Sequence, residues 1–446
     1  MSIREVQPDS SASVGHVGLA LIAEMARVSG LDDLTREVTV TKQAQISDAE
    51  ILRTLCGLLC QGKTDFDHVK AFRQDAFFRD SLGLKRVPSA EILRQRFQSM
   101  ALEGPLFERL PECSVNLWKK TEMVPEVIES GKQRWVRMDA DVTIFDNADS
   151  NKEGAGFTYN NRYGFAPAFA HLGGGWMLGA QLRPGSAHSC TEGTEGFIMD
   201  CVDTAHAMID ETPILVVADS GFDSRDLIRA LDRKDRTDFV IKHNLRRESK
   251  ESWLEIAREN AGEVMPLERK KESGTIYRGS ITRVVEGIDK PVRMVFEVTE
   301  VNRQKGQQLL VPEIRVCVLW TSLELAEDEV LKIYRDRGTS EQYHAEFKTE
   351  MDMERLPSGK FAVNNAFLLL GMLVYNMLKV VGKDMVFARA LGLKKATRRR
   401  MKTVIRCVML MCGRITRHAR QLTLRLGCTG PWYAFFKGLF CRLRAA

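Results

Sequence analysis

The stretch PILVVADSGFDSRDLIRALDRKDRTDFVIKHN, residues 213–244, decides the fold class of this 446-residue chain. PILVVAD is a short apolar run that ends in a polar tip, which is typical of a buried parallel strand. SRDLIRALDRK has the apolar spacing of an amphipathic helix, and TDFVIKHN predicts a second strand. A strand, a helix and a strand in this order predict an α/β layer.

Upstream of residue 213, the sequence predicts three further strands and a helix in the same layer. RWVRMDADVTIF, GFTYNNRYGFAPAFAHL and GWMLGAQLRP lie between glycine-containing turns, so we expect three consecutive antiparallel strands. A helix is expected from Thr194 to Ile209, because its apolar residues share one stripe.

The rest of the chain predicts helices around this layer and a β-rich insertion within it. Apolar spacings of three and four predict helices over 15–101, from Glu324 to about Met353, and from Phe361 to Val381. The predicted organisation begins with a helical N-terminal domain over 1–130 and a core in two parts over 131–244 and 321–384. An inserted β-strand domain covers 245–320, and a basic helical tail covers 385–446.

The segment around LGLKRVPS, before PSAEILRQRF, offers a candidate helix-turn-helix. Pro88 and Ser89 precede the second helix, as a helix start favours. Arg94, Gln95 and Arg96 would then lie near its front, where such motifs read DNA. A helix pair that serves only packing fits the same pattern.

Charge is strongly divided along the chain. Residues 385–446 hold fifteen of the 65 lysines and arginines and none of the 59 acids, which leaves 50 bases against 59 acids in residues 1–384. The whole net charge of +6 therefore comes from the tail. An acid-free basic segment of this length favours a polyanion as partner, and nucleic acid is the leading candidate.

Cysteine usage and hydropathy favour a cytoplasmic protein. The ten cysteines never form CxxC, and several lie in apolar stretches, as expected of small buried side chains in a reducing compartment. No apolar signal core is found at the N-terminus, and the uncharged run from Asn364 to Met377 is short for a bilayer. We expect no membrane association.

Three acidic residues are candidates for chemistry. Asp141 stands in the first strand, Asp219 ends PILVVAD, and Glu341 lies in the helix after the insertion. At about 100° per residue, Tyr334, Arg337, Glu341 and Lys348 share a helical stripe roughly 60° wide. Glu346 falls on the other side, so its substitution is expected to be nearly silent. Gly338 could loosen the helix and weaken this projection.

Converging carboxylates suit magnesium, or manganese as its substitute. Two such ions can activate a water or a 3′-hydroxyl and stabilise the leaving oxygen in phosphoryl transfer. Nearby Arg and Lys would hold phosphates.

These residues resemble a known family of enzymes. Tyr334-x2-Arg337-x3-Glu341-x6-Lys348 matches the Y-(2)-R-(3)-E-(6)-K signature of DDE insertion-sequence transposases, ADSGF (218–222) resembles the second-aspartate motif and DADVT (139–143) the first. LRPGSAHS (182–189) and residues 334–370 look most like insertion-sequence family 1380.

The resemblance implies an RNase H-like catalytic core with a β-rich insertion. By position, it assigns Asp141, Asp219 and Glu341 as catalytic metal ligands, with about two magnesium ions per site, and Tyr334, Arg337 and Lys348 as DNA contacts. The implied substrates are double-stranded terminal inverted repeats and target DNA, bound by a homodimer in the bacterial cytoplasm. Thr143 selects Asp141 over Asp139, which lies on the same strand face and could assist it.

Other functions are compatible with parts of this pattern. Paired carboxylates also serve glycoside hydrolases, although a long acid-free tail has no evident use there. A DNA-binding protein that has lost catalysis would keep the fold. A metal-dependent DNA nuclease without strand transfer shares every residue named above.

Overall fold

The computed structural model describes residues 13–39, 45–148, 150–187, 193–246, 248–269, 271–305, 307–388, 391–418, 421–426 and 431–446. Its helices are α1 (Leu19–Val28), α2 (Leu31–Glu37), α3 (Asp48–Leu59), α4 (Ala76–Ser81), α5 (Ala90–Glu103), α6 (Leu110–Lys120), α7 (Thr194–Met208), α8 (Arg225–Asp232), α9 (Lys250–Asn260), α10 (Glu327–Arg335), α11 (Ser340–Ala345), α12 (Phe361–Phe387), α13 (Met401–Val404) and α14 (Trp432–Ala445).

Its strands are β1 (Ser13–Val14), β2 (Val127–Ser130), β3 (Gln133–Val142), β4 (Phe145–Asp146), β5 (Gly156–Phe157), β6 (Tyr163–Phe165), β7 (Ala168–Leu172), β8 (Trp176–Gln181), β9 (Ile214–Ala218), β10 (Thr237–Lys242), β11 (Ala261–Arg269), β12 (Glu272–Arg283), β13 (Val292–Gln304), β14 (Gln307–Thr321), β15 (Gly413–His418) and β16 (Gln421–Arg425).

The chain divides into two compact units. The helical unit consists of Met1–Met123, Asp149–Glu153 and Ala345–Ala446, and the sheet unit of Val124–Ala148 and Gly154–His344. Each unit therefore combines segments that are distant along the chain.

The sheet unit is built on a large mixed sheet with helices. Its strand order is β11-β12-β13-β14-β10-β9-β3-β7-β8, and β2 pairs with β3 outside that path. β3, β9 and β10 run parallel, whereas β7 and β8 are antiparallel to their neighbours. The α/β class is confirmed, and so are the helix, strand, helix and strand that follow β8. The second predicted strand is instead divided into β5, β6 and β7, of which only β7 joins the large sheet.

The strands of the predicted insertion extend this sheet. β14 pairs with β10 in an antiparallel register that sets Val240 opposite Thr321. The side chains on β14 nearest this junction are buried, from Val318 to Thr321. Unbroken backbone hydrogen bonding and a shared core therefore join the β-rich segment to the sheet, rather than leaving it as a sheet of its own.

The helix expected from Glu324 to about Met353 is interrupted. α10 ends at Arg335, a 3₁₀ turn covers Asp336–Thr339, α11 follows, and Glu346–Glu350 is a π-helical turn. Gly338 lies in the 3₁₀ turn, where its high backbone entropy disfavours a continuous α-helix. α10 packs Val330 and Leu331 against buried side chains of the sheet, which fixes the start of this segment.

α12 is the core helix of the helical unit. It is long and apolar enough to cross a membrane by length and composition alone, but most of its apolar window is buried inside the protein. Its side chains pack with α3, α5, α6, α13 and α14. This burial agrees with the predicted apolar, buried helix.

The basic tail is only partly helical, and it contributes to the core. β15 pairs with β16 and with β1, because Ile415, Thr416 and the alternating LTL of β16 favour strands. Phe436, Leu439 and Leu443 of α14 are buried. The tail thus contributes to the core as well as to the positive charge, and it contains a pair of strands in addition to the predicted helices.

Candidate active site

Asp141 and Asp219 lie side by side at one edge of the parallel sheet. β3 and β9 are neighbours, and Ala140 pairs with Ala218, so the next residue of each strand is one of these acids. Parallel strands end at the same sheet edge, where ligands of α/β folds collect. Asp219 accepts a hydrogen bond from the Gly221 amide at 2.9 Å, which orients its carboxylate.

The charged forms of both carboxylates are destabilised by their surroundings. Burial raises the pKa of Asp219, and the negative charge of Asp141 raises it further. Burial also raises the pKa of Asp141, Arg337 opposes this shift, and Glu341 adds to it. Two poorly solvated acids of like charge are the arrangement that a bound cation stabilises.

Arg337 is the cation that faces these acids in the structure. Its Nη2 donates to Asp141 Oδ1 at 2.9 Å and its side chain is largely buried. Because Arg337 lies in the 3₁₀ turn after α10, the break in the helix sets where its guanidinium meets the strand end.

Tyr334 stands at the boundary between the sheet core and the acids. Its ring packs against the apolar cluster that includes Leu215 and Val217. Burial raises the pKa of Tyr334 to about 12, and the charge of Asp219 contributes, so the phenol stays protonated and can donate a hydrogen bond.

Glu341 completes a small cleft with these residues. The cleft has a volume of about 190 Å³ and is lined by Asp141, Tyr334, Arg335, Arg337, Gly338 and Glu341. Glu341 is exposed at the start of α11, unlike the half-buried aspartates. The cleft therefore contains Asp141, Tyr334, Arg337 and Glu341 of the predicted site residues. Asp219 lies beside Asp141 on the neighbouring strand end, and Lys348 is not among the lining residues.

Lys348 belongs to the helical unit. It lies in the π-helical turn, and its Nζ pairs with Glu354 at 2.8 Å. Its predicted role in DNA binding stays a prediction.

The candidate helix-turn-helix is engaged in internal contacts. Arg96 is mostly buried and pairs with Asp48, while Arg94 and Gln95 are exposed and contact Glu91 of the same helix. Two of the three side chains thus face solvent, and the third stabilises the packing of α5 against α3.

The sequence matches a known protein family over almost its whole length. The model of the family "Transposase DDE domain group 1" matches residues 5–446. The chain belongs to this transposase family.

A cryo-EM structure of the piggyBac transposase synaptic complex with hairpin DNA is similar at 10% identity, covers 88% of this chain and 78% of that chain, and has a TM-score of 0.42. No curated protein matches the chain.

DDE transposases generally use divalent metal ions, and the residues of this transposase fit such an ion in part. Asp141 and Asp219 offer carboxylate oxygens on adjacent strand ends, and hard cations prefer such ligands. Burial raises the pKa of both acids, because their charges are poorly solvated. Within the described residues, no three His, Cys, Asp or Glu side chains lie close enough to hold an ion together. Glu341 would have to approach the two aspartates.

The structure separates Asp139 from Asp141. Asp139 is almost fully buried and its Oδ2 accepts from Arg137 Nε at 2.9 Å. Burial raises the pKa of Asp139 to about 6. Asp141 is closer to the strand end and lines the cleft, so it is the accessible acid of the pair.

His344 is a neighbour of the site that the sequence prediction missed. Its Nδ1 lies 3.9 Å from Asp141 Oδ2, and its ring packs against those of Phe169 and His171. Burial lowers the pKa of His344 to about 4, so the ring is neutral at physiological pH. The sequence does contain a signal for His344: it follows Glu341 by three positions, and residues three apart share a helix face.

Proposed function

We propose that this transposase cleaves DNA at the ends of an insertion sequence, of the family 1380 type, and transfers those ends into target DNA. The observation that carries the proposal is the pairing of Asp141 and Asp219 on adjacent parallel strand ends, next to Arg337 and Glu341. The strand order of the sheet unit supports an RNase H-like core beneath this site.

In this proposal, Asp141, Asp219 and Glu341 hold magnesium, with manganese as a substitute. Bound divalent ions would supply Lewis-acid activation of an attacking water or 3′-hydroxyl and of the leaving oxygen, about two ions per site. The fixed carboxylates of Asp141 and Asp219 would set where those ions bind.

The cationic and hydroxyl groups of the site would position the DNA. Arg337 presents a planar set of donors suited to phosphate, and its ion pair with Asp141 holds it at the cleft. Tyr334 keeps its proton and can donate to a phosphate oxygen. Lys348 would add a point charge on the flanking backbone.

The basic tail would supply sequence-independent affinity for DNA. Exposed bases of the described tail include Lys394, Lys395, Arg400, Lys402 and Arg406. Their charges attract phosphate through counterion release. We further propose that the protein acts as a homodimer, since two ends must be cut together, and in the bacterial cytoplasm at the nucleoid.

An Asp219→Asn variant tests the proposal. The substrate is a plasmid that carries the DNA flanking this reading frame, where short inverted repeats bounded by a direct duplication are expected. Removing one carboxylate charge deletes a metal ligand and leaves the basic surface intact, so cleavage in magnesium should be abolished while DNA affinity stays within a few fold. Asp328→Asn, an exposed acid of α10, is the matched control and should cleave normally.

The same gel distinguishes the alternatives. Cleavage by Asp219→Asn at the wild-type level would contradict the site assignment. Cleaved ends without any joined product from the wild type would indicate a nuclease. DNA binding without cleavage by the wild type would indicate a protein that has lost catalysis.

A further inference from the structure

Two aromatic side chains of the sheet unit project into solvent from one small hairpin. β5 and β6 form this hairpin, and Phe157 and Tyr159 are about 69% and 70% exposed. Phenylalanine and tyrosine bury large apolar areas in most proteins, so leaving two exposed in one turn forgoes considerable stabilisation. The hairpin therefore presents an apolar surface that its own unit does not cover.

The turn holds these two rings in place. Thr158, between them, is almost fully buried, and its amide donates to the Arg162 carbonyl at 2.8 Å. Its hydroxyl contacts Asn160 Oδ1 at 2.9 Å, and Asn161 adopts the left-handed conformation with φ of 62°. Thr158 therefore anchors the chain between the two exposed rings.

The base of the hairpin is fixed by close backbone packing. Phe165 forms a bridge with Pro184, and the Gly185 amide donates to the Gly154 carbonyl at 3.1 Å. A Cβ on Gly185 would lie 2.2 Å from the Gly156 carbonyl oxygen, so only glycine fits there. This contact involves the LRPGSAHS segment, whose last two residues lie outside the described part of the chain.

The hairpin is joined to the strand end that carries Asp141, because β4 begins four residues after Asp141 and pairs with β6. In agreement with this pairing, the pKa of Tyr159 is raised by burial and then by the charges of Asp141 and Asp219. Arg162 on the same turn is more than half exposed, and its nearest acid, Asp146, is 3.9 Å away. The turn thus combines exposed aromatic faces with a cation beside the cleft.

We infer that this turn binds an unpaired base of a DNA strand end, with Tyr159 as the stacking platform and Phe157 beside it. Aromatic faces combined with a nearby Arg are the recognition mode of single-stranded nucleic acid, because every base offers a flat face. A duplex terminus whose bases remain paired would not expose both faces of a base to these rings. The inference rests on the proposed function, since it takes DNA as the substrate of the neighbouring acids.

Tyr159→Ala tests this inference on the full-length protein in EDTA, where no cleavage occurs. The probes are a DNA duplex with a short unpaired 3′ overhang containing 2-aminopurine, and the same duplex with blunt ends. Binding is followed by fluorescence anisotropy, and stacking by quenching of the 2-aminopurine. Loss of one stacking contact should weaken overhang binding roughly 5- to 150-fold and abolish the quenching.

Two further variants make the result specific. Tyr159→Phe keeps the ring and should bind and quench like the wild type. Tyr277→Ala removes a tyrosine of β12, outside both the hairpin and the basic tail, and should change neither probe. Affinity for the blunt duplex should stay within about twofold in all three variants, which also shows that they are folded.

The inference is overturned if Tyr159→Ala binds the overhang and quenches it like the wild type, or if it loses blunt and overhang binding equally. Because the assay needs no cleavage, its outcome is independent of the Asp219→Asn experiment. Stacking without any cleavage activity would count against the proposed function and leave this inference standing.

Discussion

His344 shows how one buried side chain can link the site to protein stability. Its pKa is lowered to about 4 by burial, whereas an unfolded histidine titrates near 6.5. Between these values the unfolded chain binds a proton that the folded protein does not bind. Stability contributed by the neutral ring is therefore present above about pH 6.5 and is lost as the pH falls toward about 4.

Asp139 has the opposite effect in an overlapping range. Its folded pKa of about 6 exceeds the unfolded value near 3.9, so the folded protein holds a proton there that the unfolded chain has released. The stability that the protonated Asp139 contributes to the folded state is lost as the pH rises. The pH profile of the wild type alone therefore cannot isolate His344.

His344→Gln separates the two contributions. The unfolding free energy of the wild type relative to this variant should fall by roughly 2–3 kcal/mol between neutral pH and about pH 4, because only the wild type carries the histidine. Urea denaturation at several pH values measures this difference. A difference that stays constant across the range would show that the ring is not held neutral by burial.

At the scale of elements, the segment after Glu341 explains why the helical projection was only partly right. The projection assumes 100° per residue, but the chain passes through 3₁₀, α and π geometry between Asp336 and Glu350. Tyr334, Arg337 and Glu341 still meet, since they lie within about two turns. Hydrophobic spacing revealed a helical segment but carried no information on its local winding.

Glu346 is the clearest correction at this scale. The projection set it on a face away from Glu341, and a silent substitution was expected. It is instead completely buried, pairs with Arg398, and accepts a hydrogen bond from the Tyr375 hydroxyl at 3.4 Å. The sequence could not show this because the partner, Arg398, comes from the distant tail.

Glu346→Gln should therefore destabilise the helical unit by roughly 3 kcal/mol, because it removes the negative charge from the buried ion pair with Arg398. Chemical denaturation of the variant and of Glu324→Gln, an exposed acid before α10, provides the measurement and its control. Equal stability of the two variants would mean that the buried pair contributes nothing.

At the scale of the molecule, the sequence predicted the succession of elements from β8 to β10 along the chain, the core helix α12 and the acids at the strand ends. Continuous apolar runs and alternation report burial directly, so those elements were predictable. The grouping into two units was not, because it depends on which distant surfaces pack together. β10 and β14 pair across eighty residues of chain, and no local pattern encodes that pairing.

The tail has both structural and electrostatic roles at this scale. α13, the π-helical turn at Ile405–Met409 and α14 bury apolar side chains in the helical unit, among them Val404, Val408 and Phe436. Truncation after Asp384 would therefore remove part of a core along with fifteen basic residues.

The central claim is that Asp141, Asp219 and Glu341 act as one catalytic set in DNA transposition. The most direct measurement is the yield of joined product from a plasmid carrying the element ends in magnesium, with Glu341→Gln compared with the matched Glu324→Gln control. Glu341→Gln should give no cleaved or joined product at any DNA concentration, while end binding measured by gel shift is largely retained and the control behaves as wild type. Joined product from Glu341→Gln at the wild-type yield would contradict the account.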